Sequence, residues 1–185
     1  DVPWFVCASY SRPHSPFTVS GRYVRHYRDR VPPIELPSDY RDRLDPFSQQ
    51  VGGLESGNAL SAEQSLRARE AYYACVDFVD DCIGELLDGL TAAGALDNTI
   101  VIYTSDHGEM AGIHGLWGKV VYFEPSVGVP LLMRGPGIRE GHHATRHPIS
   151  LMDLYPTTCA LAGLPVPAGL DGVDFSGLLA DPESA

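Results

Sequence analysis

The chain has 185 residues, 44% of them apolar, which suffices to bury a core in one domain of ordinary size. Its 13 basic residues against 24 acidic ones leave a net charge of -11, so its long-range field repels nucleic acid and anionic membrane surfaces. No apolar run approaches the roughly 20 residues of a membrane span, so neither nucleic acid nor a membrane is expected as a partner, and any anionic ligand must be held by local positive groups.

The opening Asp1-Val2-Pro3-Trp4 lacks the basic flank and cleavage site of a secretory leader, and its first residue is not methionine, which leaves a leader further upstream open. Cys7, Cys75, Cys82 and Cys159 match neither a dense disulfide framework nor paired zinc spacing and read as buried thiols. Trp4-Phe5-Val6-Cys7-Ala8 reads as a short buried strand. Beyond it, Pro13 and Pro16 bracket His14 and restrict the backbone on both sides, which would fix an imidazole in place. The alternative is a polar residue in a proline turn.

Residues 21–61 are rich in Arg, Pro, Asp and Gly, so a long loop with little regular structure is expected there. Its arginines either face an anionic substrate or form a solvated charged surface. At Ser61 the pattern changes, because a serine with Gln64 three residues on is a capping box. Tyr72, Val76, Val79, Ile83, Leu86 or Leu87, and Leu90 then recur at helical steps, an apolar stripe about 30 Å long, which Gly94 ends. Cys75 and Cys82 fall beside this stripe and are core candidates.

Asp97-Asn98 turns the chain into Ile100-Val101-Ile102-Tyr103, an apolar run without polar alternation, as in a strand covered on both faces of a parallel sheet. Asp106 and His107 follow its carboxyl end, where such sheets bind ligands. Four glycines between Gly108 and Gly118 make the next segment a loop that can double back and return Lys119 towards Asp106. Val129-Pro130-Leu131-Leu132-Met133-Arg134 reads as a further strand closed by Gly135-Pro136-Gly137. A link with His142, His143 and His147 leads to a helix over 149–162 that has Pro156 in its first turn and Gly163 as its stop. Those three histidines have no fixed metal-ligand spacing and read as solvated.

A carboxylate and an imidazole suit a divalent cation, yet two ligands do not make a site, and Asp106 and His107 read equally as a turn cap and a local hydrogen-bonding group. Several segments together narrow this. Thr104-Ser105-Asp106-His107-Gly108-Glu109, His114-Gly115-Leu116-Trp117-Gly118-Lys119, Glu124 and Val129-Pro130-Leu131 resemble the core block of the sulfatase family in the alkaline-phosphatase-like superfamily. The resemblance is strongest to the branch of choline sulfatase-like and phosphonate monoester hydrolase enzymes, which has Asp-His where many arylsulfatases have Asp-Asn. Pro13-His14-Ser15-Pro16 is similar to the family's Pro-His-x-Pro element. Asp80-Asp81-Cys82-Ile83-Gly84 and Asp153-Leu154-Tyr155-Pro156-Thr157 are similar to its flanking helices.

The resemblance implies an α/β fold, a mostly parallel sheet flanked by helices in an α/β/α sandwich, present here as a partial domain. It implies that Asp106 and His107 coordinate one divalent cation, calcium foremost and otherwise magnesium or manganese, and that His14 and Lys119 touch the transferred group. His114 is either a substrate-side residue or a brace for its loop. The family's Cys/Ser-x-Pro-x-Arg segment, whose first residue matures to the formylglycine nucleophile, is not in these residues, and Cys7 lacks that context. Residues 1–185 are therefore expected to be the later portion of a catalytic domain that needs its remainder as partner and is inactive alone. The expected activity of the whole is hydrolysis of sulfate monoesters, with a small anionic ester as substrate. Two rivals are hydrolysis of phosphonate or phosphate esters at the same site, and a non-catalytic binding module.

Overall fold

The computed structural model describes residues 3–55, 60–141 and 147–181. The chain divides into two compact units, one of Asp1–Gly89 with His107–Val129, the other of Leu90–Asp106 with Pro130–Ala185.

The first unit is helical. Its principal element is α3 (Ala62–Ala92), 31 residues that also enter the second unit. The Ser61 capping box forms at its start: Gln64 N–H donates to Ser61 Oγ at 3.2 Å and Ser61 N–H to Gln64 Oε1 at 2.9 Å. The buried face of α3 is Glu70, Ala74, Cys75 and Val79, whereas Val76 and Leu86 of the expected stripe are exposed. The face turned inward includes a carboxylate because its charge is matched. Arg67 Nη1 lies 2.8 and 2.9 Å from the two Glu70 oxygens, and Asp29 N–H donates to Glu70 at 2.8 Å.

The stretch 21–61 departs from the expected loop, since α1 (Gly21–Tyr27) and α2 (Pro46–Glu55) form within it. Asp45 caps α2, its carboxylate accepting from the Phe47 and Ser48 N–H groups at 3.0 Å each, and Pro46 occupies the first helical position, where its missing N–H costs nothing. Within a stretch expected to be loop, Asp45 and Pro46 are a helix start. For α1 the cause is tertiary: Tyr23 is buried edge-on against Phe78 of α3, with its hydroxyl donating to Asp81 at 2.6 Å. Leu44, Met110, Leu116 and Val121 form a core cluster, with Val51, Ile113 and Phe123 packed against it.

The segment Trp4 to Ala8 is not a buried strand. Trp4, Phe5 and Val6 are 56%, 78% and 67% exposed, and no ladder partner pairs with them among the described residues. Cys7 is accordingly exposed and Cys82 half-buried, while Cys75 and Cys159 are buried as expected; all four are free thiols. Burial pushes the Cys75 thiol up from its ordinary range, with the Arg12 charge opposing it.

In the second unit α3 ends at Gly94, in the left-handed region at φ +65°, and Ala95 N–H reaches back to Leu90 O at 2.9 Å. A 3₁₀ turn over Leu96–Asn98 feeds β1 (Val101–Thr104), which pairs with β2 (Leu131–Arg134) in the register Val101↔Arg134 to Thr104↔Leu131. The pairing is antiparallel, and these two strands are the whole sheet among the described residues, so the expected mostly parallel sheet is not what they form. A parallel neighbour requires a crossover helix, and the 105–130 connection holds only the four-residue α4 (Glu124–Val127) and a 3₁₀ turn. The β1 residues are half-buried rather than covered on both faces. Gly135 allows the strands to close: a Cβ there would lie 2.7 Å from Ile100 Cα and Thr99 O.

A 3₁₀ turn (Leu151–Asp153) runs into α5 (Leu154–Leu161), with a capping box between Ser150 and Asp153 and Gly163 at φ +68° as the stop. Asp153 Oδ1 also accepts from Val173 N–H at 2.8 Å, and Thr157 Oγ1 from Phe175 N–H at 3.0 Å, which ties the segment before α6 (Ser176–Ala180) to α5.

Candidate functional site

The first unit brings two distant segments together. Arg12 braces the turn around His14, its guanidinium donating to His14 O at 3.3 Å, Pro16 O at 3.0 Å and Thr18 Oγ1 at 2.7 Å. His14 N–H donates to Ser11 O at 3.0 Å, and both prolines are preceded by cis peptide bonds. The imidazole Nδ1 lies 2.7 Å from Ser15 O, a carbonyl that can only accept, so this contact assigns the proton to Nδ1 and the lone pair to Nε2. Lys119 Nζ stands 3.2 Å from that Nε2. An ammonium and an imidazole thus meet as donor and acceptor at an exposed position.

Lys119 arrives there by a loop that folds back on itself. Glu109 Oε1 accepts from Ala111 N–H at 3.0 Å and Gly118 N–H at 2.6 Å, and Met110 N–H donates to Gly118 O at 2.8 Å. Ala111, His114 and Val120 sit at φ +45°, +54° and +78°, a conformation costly for side chains with a Cβ. Gly115, at φ +72°, is required for space as well: a Cβ there would lie 2.2 Å from the Tyr40 ring. The His114 ring centroid lies 4.7 Å from that of Phe123, with the ring planes tilted by 46°. Trp117, two residues before Lys119, meets Phe17, three residues after His14, with ring centroids 6.1 Å apart, and Phe17 packs edge-on against Tyr72 of α3 at 5.5 Å.

His107 opens the same loop, half-buried, with Nδ1 2.8 Å from Gly108 O. Gly108 O can only accept, so this contact assigns a proton to Nδ1. Gly108 is held against α4, its N–H donating to Ser126 O at 2.8 Å, and a Cβ on it would lie 2.0 Å from Pro125 O. Asp106 is the last residue of its segment of the second unit; it is exposed, and Ser105 Oγ approaches its Oδ1 at 3.4 Å. Among the described residues no group of three or more His, Cys, Asp and Glu side chains is arranged to hold a metal ion. His142 and His143 lie outside the described residues, and His147 is half-buried.

Sequence reasoning missed Arg12, Phe17 and Glu109 as organisers of this region. Only Glu109 carries a local signal, an acid at the head of a glycine-rich loop whose amides need acceptors.

The residues that meet in this loop system match a known pattern along most of the chain. The sulfatase family model matches residues 1–164, and the chain belongs to the sulfatase family. It is 38% identical over 166 residues to the choline-sulfatase of Rhizobium meliloti (strain 1021), an alignment covering 88% of this chain and 32% of that protein. The chain thus spans about a third of the length of that curated relative. Two solved structures share its fold. The phosphonate monoester hydrolase of Silicibacter pomeroyi superposes with a TM-score of 0.82 at 28% identity, covering 91% of this chain and 36% of its own. That of Agrobacterium radiobacter gives 0.78 at 31%, covering 97% and 39%.

Proposed function

We propose that residues 1–185 are the later portion of the catalytic domain of a metal-dependent sulfatase that hydrolyses sulfate monoesters, with the rest of an alkaline-phosphatase-like α/β/α sandwich supplied from outside these residues. The observation that carries this reading is the 3.2 Å approach of Lys119 Nζ to His14 Nε2. An ammonium and an imidazole converge on one exposed point of a chain whose net charge is -11, which supplies there the local positive group an anionic ester needs.

In hydrolysis of a sulfate monoester the bond from sulfur to the ester oxygen breaks, water supplies the replacing oxygen, and the products are an alcohol and sulfate. Negative charge builds on the leaving oxygen and is redistributed over the three others. The Lys119 ammonium would donate to a sulfuryl oxygen in place of His14 Nε2, exchanging a neutral acceptor for an anionic one. His14 Nε2, released by that exchange, would take up a proton from solvent and pass it to the leaving oxygen, with Nδ1–H held on Ser15 O throughout.

Asp106 and His107 fit a divalent cation in donor chemistry, an exposed carboxylate followed in the sequence by an imidazole. Such a cation, calcium foremost and otherwise magnesium or manganese, would supply further neutralisation of the sulfuryl oxygens, and its remaining ligands and a formylglycine nucleophile would come from outside these residues. In the full-length protein, aryl sulfate hydrolysis should fall to background with a chelator and in Asp106→Ala or His107→Ala; normal activity in either variant sinks the metal assignment.

The likeness to the two phosphonate monoester hydrolases favours a second reading, in which the same residues act on a phosphonate or phosphate ester. Both groups are tetrahedral oxyanions. Competing an aryl sulfate against a phenyl phosphonate ester on one preparation decides between them by the ratio of kcat/KM.

A further inference from the structure

We infer that Glu109 is the positioning residue for Lys119, acting through the backbone of the loop rather than on the substrate. This rests on the reading of Lys119 as a substrate-contacting residue. The inference starts from the hydrogen bonds of one carboxylate oxygen: Glu109 Oε1 accepts from Ala111 N–H at one side of the loop and from Gly118 N–H, the residue before Lys119, at the other. The carboxylate is half-buried, and the 2.6 Å bond to Gly118 is in the short range of charge-assisted hydrogen bonds.

What it holds would not stay closed unaided. Gly118 and Val120, the two neighbours of Lys119, are at φ +76° and +78°, and Ala111 is at φ +45°. For a β-branched residue and an alanine these conformations are unfavourable and persist only where surrounding contacts fix them. Three contacts join the two stems among the described residues: the Glu109 oxygen, the Met110 N–H to Gly118 O bond at 2.8 Å and the Gly112 N–H to Leu116 O bond at 2.8 Å, and of these the Glu109 oxygen is the one that holds the Gly118 N–H. Without the carboxylate the Gly118 N–H loses its acceptor and Gly118 keeps only the bond from Met110 N–H to its carbonyl, so the peptide before Lys119 is less firmly fixed and the ammonium, at the tip of a four-carbon chain, drifts from its station beside His14. A displacement of about 1 Å at a reacting group can cost 10²-fold in rate.

The test is a double-mutant cycle in the full-length protein, reading kcat and KM for an aryl sulfate. Glu109→Ala should lower kcat about 10- to 100-fold. Glu109→Gln, whose amide oxygen still accepts both N–H groups, should recover most of that loss, which a need for the charge alone would not allow. In a Lys119→Ala background, Glu109→Ala should cost almost nothing further, because the residue it positions is gone. Equal losses from Glu109→Ala with and without Lys119 would overturn the inference and leave the reading of Lys119 standing. Normal activity in Lys119→Ala overturns that reading itself, and the inference with it. If Glu109→Ala fails to fold, Glu109→Gln against Glu109→Asp, too short to reach both amides, carries the same comparison.

Discussion

Lys119 Nζ and His14 Nε2 lie 3.2 Å apart although 105 residues separate them in the chain. Neither residue needs the other for solubility or packing at an exposed position, so the meeting point is best explained by what both would touch. Lys119→Ala and His14→Ala should each lower kcat/KM for an aryl sulfate by about 10²- to 10³-fold in the full-length protein, the range for losing one group aimed at developing charge. The double variant should lose less than the product of the two, since each side chain is the other's partner. Full additivity would show that the two act independently.

Trp117 and Phe17 supply the packing beneath that contact. They flank Lys119 and His14 at a distance of two and three residues, and the chain of rings runs on to Tyr72 of α3. Trp117→Ala should destabilise the fold by about 2 kcal/mol in urea unfolding, below the roughly 3–5 kcal/mol of a fully buried aromatic because the ring is half-buried. It should also lower kcat/KM, because the two loops lose their shared wall. Trp117→Phe should restore most of both; a variant stable but as slow as Trp117→Ala would place the indole in the chemistry instead.

Gly108 has no room for even a methyl group. A Cβ would lie 2.0 Å from Pro125 O and 3.1 Å from Gly128 O, all backbone atoms that cannot swing aside. Gly108→Ala should therefore push the loop off α4, break the 2.8 Å bond from its N–H to Ser126 O, and cost about 1–3 kcal/mol. The displaced residue adjoins His107, so if His107 ligates a cation, Gly108→Ala should also raise the metal concentration needed for half-maximal activity. An unshifted metal titration would separate the loop's stability from its ligand role.

What the sequence disclosed was local and what it concealed was relational. Ser61 with Gln64, and Gly94 after a helical stripe, announce the two ends of α3 because caps are settled by residues within a turn. A strand end and a glycine loop place Asp106, His107 and Lys119 in the same local way, but only the resemblance of several segments to the sulfatase family marked them as candidate site residues. The direction of β2 depends on how residues 105–130 return, which no periodicity encodes, and α1 depends on Tyr23 finding Phe78 and Asp81 across more than fifty residues. At α2 a local signal was present inside a stretch judged by its composition: Asp45-Pro46 suits a turn and a helix start equally until Ser48 and Phe47 turn their amides to the carboxylate.

Glu70 carries a pH dependence that is separate from catalysis. Its side chain is 1% exposed, and burial alone would raise its carboxyl. The hydrogen bonds from Arg67 and the Asp29 N–H, with the charges of Arg67 and Arg28, outweigh that and hold it below its ordinary value. Protonating it in the folded state is therefore harder than in the unfolded chain, where a glutamate titrates near about 4.3. The stability it contributes is complete above that pH and is lost as pH falls from there through the depressed folded value. Glu70→Gln should accordingly be less stable than the parent by about 1–3 kcal/mol at pH 7 in urea unfolding, the range for hydrogen bonds to a charged group. At pH 3 the gap should be smaller, because the parent has begun to lose what the variant never had. A gap that is the same at both pH values would mean that Glu70 is not held as a carboxylate by Arg67.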